Sequence, residues 1–384
     1  IWLRRGLWEG EYYLNDKPVL GITSYLTPGK FEQENLYPLC SNLNVASTGS
    51  KVYGEGFVLD PIQAIDLISN NPINREALSP YLNGEDLNNR FDQSPSRWVI
   101  NFHDWSIEQA ETYSDCLKIL REKVKPIRDK LASNPNIRKY WWLYERTRPE
   151  LYEKIREMKR VLAIAFTSRT GAFTFVPTDI VFSNAVVIIA FDSMFYFAML
   201  QSSFHVEWAF THGSEMKSDL RYILSKCFDT FPFPTDMQGL DDIGERYYQH
   251  RQSIMLARQE GLTKTYNRFH DQKETTEDIV RLRALHREMD EAVARTYGWD
   301  DLDLGHGFHE TKQGLRYTIS EEARREVLGR LLKLNHERYA EEVAQGLHEK
   351  GAKKAKGKRG GGKKSGDDGN SNRVSSGQGE MVFE

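Results

Sequence analysis

The stretch "PYLNGEDLNNRFDQSPSRWVINFHDW", residues 80–105, combines two kinds of local chemistry. Its first half, residues 80–96, is rich in turn-forming residues, including the Asn83-Gly84 and Ser94-Pro95 dipeptides, and this composition predicts a polar loop. Its second half, residues 97–105, is β-branched and aromatic, which predicts a strand. The stretch therefore predicts a strand that follows a loop rich in side-chain amides and carboxylates, with one arginine.

Strand patterns and helix patterns alternate on both sides of this stretch. Downstream, Ser106 with Gln109 three residues later forms a capping box, which opens a helical segment that Pro126 interrupts. Pro149 stands at the first turn of a second helix. Residues 161–176 alternate like a β-hairpin with its turn at residues 168–171. We expect an α+β fold with mixed sheets over residues 1–234.

The composition shifts after residue 234. Residues 235–349 contain long segments of helical period with many Glu/Arg pairs four residues apart, which predict a mostly α-helical domain. Residues 350–384 are rich in Lys, Gly and Ser, and we expect a disordered basic tail because such a segment cannot bury apolar surface. The tail holds nine Lys/Arg and four Asp/Glu, whereas the whole chain carries a formal net charge of -3. Residues 1–349 are therefore acidic overall, and any binding of a polyanion there requires a local basic surface.

Several classes of protein are disfavoured by simple features. The three cysteines, Cys40, Cys116 and Cys227, lie far apart, which is typical of a reducing cytosol and argues against a zinc knuckle or a disulfide framework. The most apolar stretch, residues 185–201, contains Asp192 and is too short for a membrane span. No signal peptide is recognisable, so we expect a cytoplasmic protein without a membrane partner. The opening residues look like mid-domain sequence, and we expect the chain to be part of a longer protein.

Common catalytic motifs are missing from the sequence. It has no Gly-rich loop followed by Lys and Ser/Thr, no strand-borne G-x-G-x-x-G and no H-E-x-x-H. His306, His309 and Glu310 are close enough in sequence to suggest a metal-dependent hydrolase as one hypothesis. The competing interpretation is a polar loop between two helices. The residues alone therefore supply no catalytic set and no metal site.

Several distinctive strings resemble one family. They are "SPYLNGEDLNNRFDQSPSRWVINFHDW", "WWLYERTRPELYEKI", "LQSSFHVEWA", "LRYILSKCFDTFPFP" and "LTKTYNRFHD". Together they resemble the downstream half of MmeI-like adenine-specific DNA methyltransferases, which are single-chain type II restriction–modification enzymes with relatives in phage-defence systems. The resemblance covers about residues 1–349. It implies a target recognition domain at residues 1–234 and a C-terminal helical domain at residues 235–349.

The resemblance also implies a function. The chain would recognise a site in double-stranded DNA and orient it for S-adenosylmethionine-dependent N6-adenine methylation by an upstream methyltransferase domain. The family's cofactor-binding glycine motif, its catalytic Asn-Pro-Pro-Tyr/Phe and its nuclease motif are missing from this sequence. We therefore expect no catalytic residue and no bound cofactor in this chain. The alternative is a stand-alone DNA-binding specificity subunit that recruits a separate methyltransferase.

Nine residues are predicted to contact DNA. The tip of the predicted hairpin would read bases, with the Arg169 guanidinium matched to a guanine. Lys123, Lys125 and Arg128 on one helix, with Arg146 and Arg148 before the next, would neutralise phosphates. An exposed turn and a solvated helix face are the competing interpretations of these two groups. The full predicted set is Arg97, Lys123, Lys125, Arg128, Arg146, Arg148, Ser168, Arg169 and Thr170.

Two further segments have alternative interpretations. The amide-rich loop of residues 80–96 could be a scaffold, a phosphate contact or a base reader, and a string shared across a family with different recognised sequences favours the scaffold. The aromatic string at residues 140–144 could stack on bases, since the parent enzyme must flip its adenine. Aromatic residues at this density are more often part of a core, and we expect that role here.

Overall fold

A mixed four-stranded sheet is built around the stretch of residues 80–105. Its strand order is β10-β5-β6-β4, where β5 pairs antiparallel with β6 and parallel with β10. Strand β6 pairs antiparallel with β4. The strands are β4 (Val58–Leu59), β5 (Leu78–Leu82), β6 (Arg97–Ile100) and β10 (Val181–Phe182). The strand predicted in the second half of the stretch is confirmed, and it ends at Ile100.

A second four-stranded sheet is antiparallel throughout and has the order β3-β11-β7-β9. Its strands are β3 (Ala46–Thr48), β7 (Arg160–Ala165), β9 (Thr174–Pro177) and β11 (Val186–Ile189). Alternate residues of β7 enter different core clusters: Leu162 and Ile164 contact one, and Val161 and Ala163 contact the other. Because side chains alternate across a strand, both faces of this sheet are covered.

The remaining strands form small sheets. Strands β1 (Tyr12–Leu14) and β2 (Lys17–Val19) form a two-stranded pair. A three-stranded sheet has the order β12-β13-β8 and consists of β8 (Thr167–Ser168), β12 (Ser214–Met216) and β13 (Asp219–Arg221). The last pair is a hairpin of β14 (Gly307–Thr311) and β15 (Gly314–Thr318). This last hairpin was not predicted, because residues 306–310 were interpreted as a loop between helices.

The computed structural model describes residues 10–14, 17–19, 35–131, 134–216, 219–236 and 238–348. The chain divides into two units, Ile1–Glu341 and Glu342–Glu384. The α-helices in the described ranges are α1 (Pro61–Asn70), α2 (Gly84–Asn89), α3 (Ile107–Ala110), α4 (Ser114–Lys123), α5 (Lys125–Asp129), α6 (Pro135–Lys139), α7 (Pro149–Ile155), α8 (Met194–Gln201), α9 (Ser203–His212), α10 (Leu224–Cys227), α11 (Leu240–Arg258), α12 (Leu262–Phe269), α13 (Glu277–Thr296) and α14 (Glu321–Ala344). The predicted disordered tail lies outside the described residues.

The predicted loop at residues 80–96 is partly a helix. The Asn83 side chain accepts hydrogen bonds from the backbone N–H groups of Glu85 (2.8 Å) and Asp86 (3.0 Å), and it thereby caps α2. The same Asn-Gly chemistry that predicts a turn therefore starts a helix here. Leu87 is fully buried in α2, so tertiary packing stabilises this short helix.

Proline and capping residues set several helix ends as predicted. The Ser106 hydroxyl accepts from the Gln109 N–H at 3.3 Å at the start of α3. The helical segment that follows breaks into α4 and α5, with Pro126 in the first turn of α5. Pro149 lies in the first turn of α7. Trp141, Trp142 and Tyr144 are less than a tenth exposed, so the core interpretation of these three aromatics is confirmed.

One large apolar core joins the C-terminal helices to the second sheet. It includes Leu162 of β7, Phe197 of α8, Tyr247 of α11 and Val327 of α14. The fully buried Arg251 of α11 donates to the Gln201 carboxamide oxygen (3.0 Å) and the Phe173 carbonyl (2.6 Å). The α+β class is confirmed, whereas the domain boundary at residue 235 remains a prediction. None of the described helices is long and apolar enough to cross a membrane.

Candidate nucleic-acid interface

The predicted hairpin around Arg169 is present and has a wider loop than expected. Strands β7 and β9 pair antiparallel from Arg160↔Pro177 to Ala163↔Thr174, so residues 166–173 connect the paired strands. We call residues 166–173 the recognition loop. Gly171 adopts a φ of +63°, and a Cβ there would lie 3.4 Å from Val206 and Phe210 of α9. The positive φ therefore favours glycine at this turn, whereas a Cβ would make only ordinary van der Waals contacts.

Ser168 shapes the recognition loop from inside. Its side chain is only 2% exposed, and its hydroxyl accepts from the N–H groups of Thr170 (3.2 Å) and Gly171 (3.1 Å). The prediction that Ser168 is presented at the tip is therefore wrong, because the hydroxyl is used by the turn itself. Arg169 is exposed and Thr170 is half-buried. Arg169 is thus the side chain of the predicted trio that the loop presents to solvent.

The recognition loop is held in place by neighbouring elements. Strand β8, at its start, pairs with β13 through Thr167↔Arg221 and Ser168↔Leu220. The Asn88 side chain of α2 donates to the Thr167 carbonyl at 3.4 Å. The amide-rich stretch of residues 80–96 therefore supports this loop, which agrees with its predicted scaffold role. The tip is a fixed part of the fold because both its flanks are bonded to other elements.

The hairpin of β14 and β15 reaches the recognition loop from the C-terminal half of the chain. The Gln313 side chain, at its turn, donates to the Arg169 carbonyl at 3.5 Å. Gly314 has a φ of +89° in this turn. Sequence reasoning missed the hairpin, and the available signal is weak: "LRYT" alternates apolar and polar residues after the turn-forming Lys-Gln-Gly, whereas "HET" before it is polar throughout.

The meeting of loop and hairpin places two guanidinium groups near each other. Arg316 of β15 is half-buried, and its Nε is buried without a hydrogen-bond partner. Burial, and then the positive charge of Arg169, lower the pKa of Arg316. Among the described residues, neither Arg169 nor Arg316 takes part in an ion pair. Two unpaired cations at one surface attract an anion or an acceptor-rich group such as the guanine edge.

Arg128 has a different position from the one predicted. It lies on α5 rather than on the helix of Lys123, it is 1% exposed, and burial lowers its pKa to about 10. Its guanidinium donates to the carbonyls of Val52 (3.0 Å), Tyr53 (2.8 Å), Tyr140 (3.4 Å), Trp141 (3.1 Å) and Leu143 (2.5 Å). The prediction of a surface cation is wrong here, because five carbonyls enclose the charge and no surface remains for a phosphate.

The other predicted phosphate ligands lie at or near the surface. Lys123 and Arg146 are exposed, and Lys125 is half-buried with its Nζ 2.8 Å from Asp129. Arg148 is half-buried, adopts a left-handed φ of +59°, and donates to the Thr48 hydroxyl at 2.8 Å. Arg97 is exposed at the start of β6. The structure thus leaves Arg97, Lys123, Lys125, Arg146 and Arg148 accessible.

His306, His309 and Glu310 do not form a common site. His306 contacts the Asp290 carboxylate (Nε2–Oδ2 2.8 Å), and His309 contacts the Gly305 carbonyl at 2.8 Å. The ligand atoms of these three residues do not all lie within 4.8 Å of one another, as a shared metal ion would require. The hypothesis of a hydrolase built on this trio therefore loses its geometric basis.

A buried serine, histidine and aspartate lie near one another at the α9–α13 contact. Ser203 Oγ is 3.1 Å from His286 Nε2, and the same Nε2 is 3.5 Å from Asp290. His286 Nδ1 has no hydrogen-bond partner. A nucleophilic triad needs the base to contact its serine and its carboxylate through different nitrogens. The arrangement is therefore a buried polar link between helices, completed by the Ser203 N–H donating to Asp290 at 2.8 Å.

Comparison with known proteins found a matching family and a similar solved structure. A protein-family model described as "MmeI, target recognition domain" matches residues 33–235, which is more than half of the chain. The solved structure of the type IIL restriction-modification enzyme MmeI in complex with DNA shares the fold, with a TM-score of 0.58 and 19% sequence identity. The match covers 84% of this chain and 39% of the MmeI chain, so the protein spans well under half of that enzyme's length. No curated protein matches the sequence.

Proposed function

The chain belongs to the MmeI target recognition domain family, and we propose that it selects the DNA site at which an upstream methyltransferase domain methylates adenine. The observation that carries this proposal is the presence of two arginines without ion-pair partners, Arg169 and Arg316, where the recognition loop meets the C-terminal hairpin. Site selection needs donors fixed in position and free of internal partners. At this surface the loop backbone is held by neighbouring elements, and among the described residues neither guanidinium takes part in an ion pair.

Arg169 is proposed to read a guanine in the major groove. Its guanidinium offers a planar fork of donors that matches guanine O6 and N7, and the exposed loop presents it to solvent. Thr170, the next residue, is half-buried, and its hydroxyl accepts from the Ala172 N–H at 3.3 Å, so its proposed role is to support the turn beside Arg169. Arg316 lies behind Arg169 and strengthens the local positive potential, so it favours the approach of the phosphate backbone.

Phosphate contacts would orient the duplex and add sequence-independent affinity. We propose this role for the accessible cations Arg97, Lys123, Lys125, Arg146 and Arg148. Lysine and arginine that neutralise phosphates release counterions, so they determine the salt dependence of binding. Arg128 is left out of this set because five backbone carbonyls occupy its donors. Ser168 is left out because its hydroxyl is used inside the turn.

The activity of the whole protein is part of the proposal. MmeI is a type IIL restriction-modification enzyme. This chain resembles only one part of such an enzyme, namely the target recognition domain and the helices after it. We propose that a methyltransferase domain upstream binds S-adenosylmethionine and transfers the methyl group to adenine N6, in the cytoplasm, as part of restriction–modification or phage defence. This chain would contribute the choice of site and no catalytic group.

The test is selection from a random duplex library by the 384-residue chain. We expect enrichment of a short motif that contains at least one guanine, with specific affinity above non-specific affinity by a factor of about 10³ or more. Recovery of unenriched sequence, at affinity that depends only on salt, would refute site selection by this chain. Sequencing of methylated bases in cells that carry the longer gene would then show whether the same motif is methylated.

A further inference from the structure

Two exposed tyrosines are joined through the buried Arg128. Its guanidinium donates to the Tyr53 carbonyl at 2.8 Å and to the Tyr140 carbonyl at 3.4 Å, so one cation holds both backbone segments. The side chains of Tyr53 and Tyr140 are 42% and 43% exposed, whereas the neighbouring Trp141 and Trp142 are less than a tenth exposed. The core therefore explains the tryptophans, whereas the Tyr140 ring contacts Trp142 edge-on, with 5.8 Å between ring centroids, and remains partly open to solvent.

The backbone at Tyr53 is in a strained conformation. Tyr53 has a φ of +47°, which is rare for a bulky residue, and the following Gly54 has a φ of +138°. A Cβ at Gly56 would lie 2.6 Å from the Lys123 Cβ, so the segment is pressed against the end of α4. Such strain costs about 1–3 kcal/mol and persists where surrounding contacts fix it, often at binding sites. Here the Arg128 hydrogen bond fixes it.

A cleft of about 520 Å³ opens beside Tyr140. This volume lies within the range of small-molecule sites. Its lining includes two guanidinium groups, two carboxamides and two carboxylates in addition to the ring, supplied by Arg146, Arg148, Asn134, Asn136, Glu145 and Glu150. The cleft thus combines an aromatic face, hydrogen-bonding amides and positive charge within one small volume.

Two arginines and two glutamates line the cleft, and the charge of one glutamate is compensated by a lysine. Among the described residues, Arg146 and Arg148 have no ion-pair partner, whereas Glu145 is paired with Lys51 at 2.8 Å. Lys139 Nζ lies 5.0 Å from the centroid of the Tyr140 ring. The backbones of Lys51 and Arg146 exchange hydrogen bonds of 3.0 Å and 3.2 Å, which joins the Tyr53 segment to the wall of the cleft. An anionic ligand with a planar apolar face fits this combination.

We propose that the cleft beside Tyr140 binds a nucleotide, with its base stacked on the Tyr140 ring and its phosphate held by Arg146 and Arg148. Stacking on an aromatic side chain tolerates any base, and phosphate contact adds a charge-dependent contribution. Asn136 and the amide nitrogen of Asn134 supply hydrogen-bonding groups for the edge of the base, since the Asn134 oxygen already caps α6. A base inside an intact duplex has both faces covered, so the ligand is either an unpaired nucleotide of a DNA strand or a free nucleotide. Of these two sources of the nucleotide, only the DNA strand rests on the proposed function.

The experiment measures fluorescence anisotropy of a labelled single-stranded oligodeoxythymidine of about 12 nucleotides with the 384-residue chain. Tyr140→Leu should weaken binding by about five-fold or more, because it removes the stacking face and keeps an apolar side chain. Tyr140→Phe should bind like the unchanged protein. Arg146→Gln should weaken binding and reduce its salt dependence. Exposed matched controls, Tyr13→Leu and Lys333→Ala, should leave binding unchanged.

Competition separates the two sources of nucleotide. If millimolar deoxythymidine monophosphate displaces the oligomer, and this displacement is lost in Tyr140→Leu, the cleft is a site for a free nucleotide. If only longer strands displace the oligomer, the cleft binds a nucleotide of a DNA strand. Equal binding by Tyr140→Leu and Tyr140→Phe would overturn the proposal, as would equal competition by inorganic phosphate, since an anion alone would then suffice. Arg169→Ala should leave single-strand binding intact. The proposal of a nucleotide cleft can therefore fail while duplex site selection succeeds, and duplex site selection can fail while the cleft binds a nucleotide.

Discussion

Gln313 donates a hydrogen bond to the backbone carbonyl of Arg169 at 3.5 Å, although 144 residues separate them in the sequence. The first residue is in the turn of the C-terminal hairpin, and the second is at the tip of the recognition loop. The C-terminal half of the chain therefore takes part in the surface that we propose reads DNA. DNA binding by that surface is therefore expected to depend on the relative placement of two segments that are distant in the sequence.

Replacing Arg169 should relax one position of the selected motif. Arg169→Ala removes a planar fork that discriminates guanine by about 1–3 kcal/mol, or roughly one to two decades in affinity. Arg169→Lys keeps the charge without the fork and should relax the same position. Selection from a random duplex library measures both effects, and Arg325→Ala on α14 is the control. A uniform loss at all positions would instead identify Arg169 as a phosphate contact.

Replacing Lys125 should change the salt dependence of DNA binding. Lys125→Ala removes one neutralised phosphate, so the slope of log affinity against log salt should flatten by about one unit for every duplex sequence. The existing contact with Asp129, at 2.8 Å, must exchange for the phosphate when DNA binds. Titrations at several salt concentrations measure the slope, with Lys333→Ala as the control. If the slope does not change, Lys125 is not a phosphate ligand.

Arg128→Met should destabilise the fold by about 3–5 kcal/mol, because five backbone carbonyls lose a buried cationic donor. Urea unfolding measures the loss. Arg121→Met, at a residue that is more than half exposed, should change the unfolding free energy by less than about 0.5 kcal/mol. Wild-type stability of Arg128→Met would show that the carbonyls find other donors.

Stability should fall as the pH decreases below about 6.5. Burial lowers the pKa of His205 to about 3 and of His212 to about 4, so both are neutral in the folded protein. Between those values and 6.5 the unfolded chain binds more protons than the folded chain, and the free energy of unfolding therefore decreases as the pH falls. Thermal unfolding at pH values from 7 down to 4 checks this expectation.

A variant identifies the source of that acid sensitivity. His205→Gln keeps a hydrogen-bonding group near the Tyr222 hydroxyl, which lies 2.8 Å from His205 Nε2, and removes the titrating ring. The decrease in melting temperature between pH 7 and pH 4 should be smaller in this variant. An unchanged decrease would assign the sensitivity to other groups, such as His212.

The parts of the fold that follow from local chemistry could be predicted from the sequence. Strand β6, the hairpin of β7 and β9, and the proline at the start of α7 depend on short-range patterns. The burial of Arg128 could not be predicted in this way, because it results from carbonyls contributed by residues 52–53 and 140–143. Helix α2 was missed since its stability comes from packing of Leu87. The proximity of Arg169 to Arg316 could not be predicted either, because it depends on a contact between segments that are remote in the sequence.

The recognition loop is fixed through its backbone. Ser168 binds the N–H groups of residues 170 and 171, and Gln313 binds the carbonyl of residue 169, so none of these bonds uses the side chains of Arg169 or Thr170. The Thr170 hydroxyl does support the turn through another bond, since it accepts from the Ala172 N–H at 3.3 Å. A mutation of Arg169 would therefore alter what the tip offers to DNA while preserving its shape, so a change of target base at this position needs no repair of the scaffold.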